Sequence, residues 1–157
     1  MGAPWFQIRH MEASHGLVGL SANFPLYGNM SNRLMSLVAG LGHRTEVYSI
    51  DEAFCDVEGI PGDLTERAFK IRARIQCWLG LQCGEGLGGT KTLAKLANLV
   101  SKDAERKPGS YPAHLAQVCN YEALSEAEKR EILKSTLVGD IWGVGRRLGA
   151  QLAEVGV

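Results

Sequence analysis

The sequence predicts an α+β domain: a short mixed or antiparallel sheet with helices on one face, followed by a small helical piece. Three observations point there. Strand-like and helix-like runs alternate in the order β-α-β-β-α-β-α. The strand-like runs are too short for a large parallel sheet. The helix-like runs repeat apolar residues every three or four positions.

The elements follow in chain order. Residues 1–20 open on a Gly2-Ala3-Pro4 turn and reach Leu17-Val18-Gly19-Leu20, an apolar run suited to a short buried strand. Leu34, Leu37, Val38 and Leu41 recur at helical spacing, so a helix is expected from about Leu26 to Leu41, with Gly42 as its stop. Thr45–Ser49 and Ala53–Val57 read as two strands joined tightly through Ile50-Asp51-Glu52. Asp63 can cap a helix reaching about Leu79, with Ala68, Ile71, Ile75 and Trp78 as its apolar stripe. A strand near Cys83–Leu87 precedes a Gly88-Gly89 turn. A helix then runs from Thr90 to about Lys102, with Leu93, Leu96, Ala97 and Val100 on one face. Lys107-Pro108-Gly109-Ser110-Tyr111-Pro112 is a linker signal. Ser125 and Glu128 form the S-x-x-E pattern of a capping box at the start of a charged helix.

Composition narrows the function classes. Of 157 residues, 45% are apolar and 22% charged, a globular balance that argues against disorder. No apolar run approaches the roughly 18 to 20 residues of a membrane span, and the N-terminus has no signal pattern, so a cytoplasmic protein is expected. Cys55, Cys77, Cys83 and Cys119 form no C-x-x-C pair and read as reduced buried thiols. Net charge is zero, yet residues 67–107 hold a local basic excess: a phosphate-facing surface or solvated helix faces.

Asp51-Glu52 lies between two strands, where a tight turn can bring both carboxylates together. Converging carboxylates suit Mg²⁺, which takes oxygen ligands and leaves positions for substrate phosphates. Two such ions about 4 Å apart can activate a hydroxyl and stabilise leaving pyrophosphate. Taken alone, a bare Asp-Glu pair reads as a solvated turn rather than a metal site, and Asp56 nearby reads as a polar strand end. The glycine-rich stretch Gly84–Gly89 has the glycine spacing of a P-loop, but Thr90 displaces Lys91 by one position. Ile141-Trp142-Gly143-Val144-Gly145-Arg146-Arg147 has the hydrophobic-x-Gly-hydrophobic-Gly pattern of a helix-hairpin-helix turn. Its glycine amides can hold a DNA phosphate without reading sequence. Trp142 reads as core.

The wider strings resemble a known family. Tyr48-Ser49-Ile50-Asp51-Glu52-Ala53-Phe54 is similar to the acidic motif of Y-family translesion DNA polymerases. Gly86–Asn98 resembles the strand-turn-helix that follows it in the UmuC type, and residues 141–147 resemble the start of that family's thumb. The resemblance implies that Asp51 and Glu52 are catalytic Mg²⁺ ligands of a two-metal site and that Lys102 reaches the triphosphate. It implies that Gly143, Gly145, Arg146, Arg147, Lys91 and Lys95 meet DNA. It places the end of the fingers in residues 1–20, the palm in 21–107 and a partial thumb in 108–157. Glu85 departs from the family's usual apolar residue, so a solvent-facing side chain, a basic neighbour or a destabilised fold is expected there.

The implied parent is an error-prone polymerase that copies past damaged bases in the SOS response. Its partners would be primer–template DNA, dNTP, accessory subunits of the polymerase V type and a sliding clamp. The family's first metal-binding aspartate, most of its fingers and its little finger match nothing in this chain, so a fragment inactive by itself is expected. The alternative is a non-catalytic DNA-binding module built on the hairpin turn. An NTPase using Lys91 ranks last.

Overall fold

A computed structural model describes residues 3–156. Two short helices, α1 (Trp5–Ile8) and α2 (Met11–His15), precede α3 (Phe24–Ala39). Then come β1 (Arg44–Val47), β2 (Ala53–Asp56), α4 (Leu64–Leu79), β3 (Glu85–Leu87) and α5 (Lys91–Arg106). The chain continues through β4 (Val118–Asn120) and α6 (Glu126–Ser135) to α7 (Arg146–Glu154), with single 3-10 turns between. The α+β class holds. The strands form two separate ladders: β1 antiparallel to β2, and β3 parallel to β4.

The longer helices begin where side chains can satisfy their free amides. Asn23 accepts from the Leu26 N–H, Asp63 from those of Thr65 and Glu66, and Thr90 from that of Leu93. Ser125 and Glu128 form the full capping box expected of them.

Three expectations need correction. Leu17–Leu20 forms no strand. Val18 and Leu20 are exposed, because no other strand lies alongside to pair with their backbone. The preceding residues are helical instead: α2 ends at Gly16 in the left-handed conformation (φ 65°). Trp78, placed on the buried stripe of α4, is 69% exposed under the Arg74 guanidinium, while Ala68 and Ile75 are buried. Of the thiols only Cys119 is buried; Cys77 is exposed.

The core lies between α5 and the segment that follows it. Leu96, Ala97 and Val100 of α5 pack on Leu115, Cys119, Tyr121 and Ile132. A single core therefore crosses residue 107, and β4, which follows the Lys107–Pro112 linker, pairs with β3 ahead of it. Strand β3 lies close against α5 because of its glycines. A Cβ on Gly86 would fall 2.2 Å from the Asn98 nitrogen and 2.3 Å from the Ala94 oxygen. One on Gly88 would fall 2.7 Å from the Ala94 nitrogen. These glycines serve backbone packing. The Gly89 N–H donates to the Glu122 carboxylate at 2.6 Å, so this turn is not an open phosphate cradle. No helix among the described residues is long and apolar enough to cross a membrane.

Candidate functional site

The β1–β2 register brings Val47 opposite Ala53 and leaves residues 48–52 as the connection. Both the Tyr48 and Ser49 N–H groups donate to the Glu52 carbonyl, at 2.9 and 3.1 Å, which closes the turn. Asp51 is exposed at its tip. Its carboxylate accepts from the Ser49 hydroxyl at 2.6 Å, which restrains the side chain. Glu52 is half-buried and faces α5.

Helix α5 meets the turn with a lysine face. At about 100° per residue, positions 91, 95 and 102 fall within about 40° of one another, roughly opposite Leu93, Leu96, Ala97 and Val100. The core side of α5 thus fixes where its lysines point. The Lys95 ammonium donates to both Glu52 oxygens, at 2.8 and 2.9 Å. Lys102 Nζ lies 4.0 Å from Glu52 Oε1. Lys91 pairs with Glu46 of β1 and sits over the Phe54 ring at 5.2 Å. Lys95 also lies over the Tyr48 ring at 5.5 Å.

The donor set at the turn suits a hard cation: Asp51 and Glu52 offer oxygen only, and the nearby Cys55 thiol is directed at the Val38 carbonyl. Among the described residues no group of three or more His, Cys, Asp or Glu side chains gathers to hold a metal. The two carboxylates also have separate partners, Ser49 for one and Lys95 for the other.

Much of the local basic excess has internal uses. Arg67 donates to the Leu41 carbonyl at 3.1 Å, and Arg72 to the Cys83 carbonyl at 2.9 Å. Lys91 and Lys95 each hold a carboxylate. Glu85 is half-buried, and burial pushes its carboxyl up to about 7, with Arg72 opposing the rise. Burial also raises the Cys83 thiol to about 11, with Glu85 adding to the effect, and the Cys119 thiol to about 12.

The glycine turn lies before α7. Gly143 has φ 92°, where glycine is favoured, and Gly145 is the N-cap with no side chain capping the helix. Nothing within 4 Å would meet a Cβ at either glycine, and Gly143, Gly145, Arg146 and Arg147 are exposed. The first amides of α7 are therefore open to a ligand.

Sequence reasoning missed two partners of the acidic turn. Lys95 is expected to meet DNA, but its side chain is only 22% exposed and holds Glu52. Its heptad spacing from Lys102 is the signal that places both lysines on one face. Trp142 reads as core but is half-buried beside the turn, with its indole N–H donating to the Tyr48 hydroxyl at 3.0 Å. Nothing in local sequence signals a contact across that separation.

Residues 1–99 match the family model described as impB/mucB/samB family. The chain is 37% identical over 158 residues to Protein UmuC of Salmonella typhimurium, covering 99% of this chain and 35% of that protein. It is 36% identical to Protein MucB of Escherichia coli, covering 100% of this chain and 36% of that one. The fold superposes on an insertion ternary complex of Dbh DNA polymerase with a TM-score of 0.73 at 28% identity, covering 99% of this chain and 42% of that one. DinB from Sulfolobus solfataricus gives a TM-score of 0.69 at 25% identity, covering 96% of this chain and 41% of that one. The chain thus spans about a third of the length of its curated relatives. It belongs to the impB/mucB/samB family, the UmuC type of Y-family DNA polymerases.

Proposed function

We propose that this chain carries the acidic palm turn of a translesion DNA polymerase, with Asp51 and Glu52 as Mg²⁺ ligands for template-directed nucleotidyl transfer past damaged bases. One observation carries the reading: of an oxygen-only carboxylate pair, Glu52 stands directly against a lysine face, with Lys102 Nζ 4.0 Å away. Nucleotidyl transfer needs both charges side by side, carboxylates for the metal cation and an ammonium for the phosphates.

Bound Mg²⁺ would activate the primer hydroxyl and stabilise the leaving pyrophosphate. Asp51, at the tip and restrained by Ser49, offers oxygens toward the cation. Lys95 donates to both Glu52 oxygens and competes with the cation for them. Lys102 neutralises charge on the triphosphate. The open amides at Gly143–Gly145, with Arg146 and Arg147, hold a duplex phosphate and position DNA without reading its sequence. Lys91 and Lys95, already paired to acids, add only longer-range attraction for DNA. The parent enzyme takes primer–template DNA and dNTP, works with accessory subunits of the polymerase V type and a sliding clamp, and acts in the cytoplasm. The shared core of α5 and residues 115–132 favours a palm unit that extends past residue 107, with the thumb piece beginning after α6.

Titration of the isotope-labelled chain with Mn²⁺ tests the metal ligands. Line broadening centred on residues 49–54 and lost in Asp51→Ala is expected; broadening centred elsewhere contradicts the reading. With only two carboxylates at the turn, the chain alone is expected to extend no primer in Mg²⁺ and dNTPs.

A further inference from the structure

We infer that Trp142 is a positioning residue that ties the DNA-facing glycine turn to the acidic turn, so that seating a duplex on one fixes the geometry of the other. This rests on the polymerase reading above, which assigns the two turns their ligands but gives Trp142 no part.

The tie has both a polar and an apolar component. The indole N–H of Trp142 donates to the Tyr48 hydroxyl at 3.0 Å across 94 positions. The indole also meets Tyr48 edge-on, with centroids 5.7 Å apart at 80°, and Phe54 at 5.8 Å and 55°. Tyr48 and Phe54 themselves pack at 5.8 Å and 63°. Tyr48 follows β1 and Phe54 lies in β2, so one indole touches the chain both entering and leaving the acidic turn. On its other side Trp142 adjoins Gly143, whose φ of 92° shapes the glycine turn.

The contacts continue to the carboxylate. The Tyr48 ring lies under the Lys95 ammonium, which holds both oxygens of Glu52. A contiguous path therefore runs Trp142–Tyr48–Lys95–Glu52. Coupling between two sites needs such a shared physical element.

Core packing does not explain the arrangement. Tyr48 is 48% exposed, and none of the three rings belongs to the buried core. Trp142 is half-buried and directs its indole N–H at one acceptor, the Tyr48 hydroxyl, which fixes the ring relative to that tyrosine.

Amide spectra of the 157-residue chain, with a short primer–template duplex as probe, test the tie. In the wild type the duplex is expected to shift residues 143–147 and also residues 48–54, and to slow exchange at Tyr48 and Ser49 about fivefold. Trp142→Phe keeps a ring and loses the donor; Tyr48→Phe keeps the ring and loses the hydroxyl. In either variant the duplex should still shift residues 143–147 while the response at 48–54 disappears, and the double variant should lose no more. A merely structural tryptophan would alter thermal stability without severing that response, and either variant serves if the other misfolds. A response at 48–54 that persists in a folded single variant overturns the tie and leaves the polymerase reading standing. No response at 143–147 in the wild type overturns the DNA reading of the turn, and the tie with it.

Discussion

Lys95 holds both carboxylate oxygens of Glu52, at 2.8 and 2.9 Å, from side chains that are 22% and 26% exposed. The pair is neither a screened surface bridge nor a fully desolvated one, so its worth lies between those limits. Lys95→Met leaves Glu52 half-buried with only Lys102 nearby. It should cost about 1 to 2 kcal/mol in thermal or urea unfolding. It should also free Glu52 for a cation, raising Mn²⁺ affinity about threefold by spin-resonance titration, since one competing charge is removed. A fall in affinity would mean that Lys95 assembles the ligand rather than competing for it.

Glu85 should make stability fall as pH rises. Its carboxyl is raised from 4.5 to about 7 in the fold, chiefly by burial. Below pH 4.5 it is protonated both folded and unfolded, and the fold pays nothing. Between 4.5 and 7 the unfolded chain ionises first, so stability is lost progressively, to at most about 3 kcal/mol. Glu85→Gln should flatten this part of the profile, with a higher Tm than wild type at pH 8 and little difference at pH 4. Equal pH profiles for both proteins would contradict the assignment.

Two glycines should respond oppositely to alanine. In Gly86→Ala the new Cβ falls 2.2 Å from the Asn98 nitrogen, and backbone cannot swing aside as a long side chain can. A loss of about 3 kcal/mol or more is expected. Gly28 lies inside α3 with nothing within 4 Å of its Cβ position, so Gly28→Ala should stabilise by about 0.5 to 1 kcal/mol. Urea unfolding of both variants checks the contrast.

The longer helices were legible in the sequence; the two short N-terminal helices and the long-range pairings were not. Helices α3 to α6 show up because apolar spacing and caps such as Asp63, Thr90 and Ser125 are local signals. Strand β4 is three residues long, and its pairing with β3 depends on α5 having folded between them. Leu17–Leu20 misleads because an apolar run needs a partner strand, and sequence alone does not provide one. The same division runs through the site. Asp51 and Glu52 stand out in a contiguous motif. Lys95 on Glu52 and Trp142 on Tyr48 exist only once α5 and the glycine turn are brought against the hairpin.

Arg146 and Arg147 should act as phosphate contacts. Replacing both by Gln should lower the slope of log affinity against log salt for duplex binding by about 2, and weaken unrelated sequences equally. Fluorescence anisotropy across a salt series checks this. An unchanged slope would place the arginines away from the DNA.

The polymerase assignment of the acidic turn can be put to one trial. Protein UmuC of Salmonella typhimurium matches 99% of this chain. With this chain substituted for its equivalent segment, primer extension in Mg²⁺ and dNTPs can be compared with and without Asp51→Ala. Loss of synthesis by about a thousandfold or more, with duplex binding retained, is the predicted result. Extension at the same rate in the Asp51→Ala chimera would contradict it, and would leave the turn as a solvated connection between two strands.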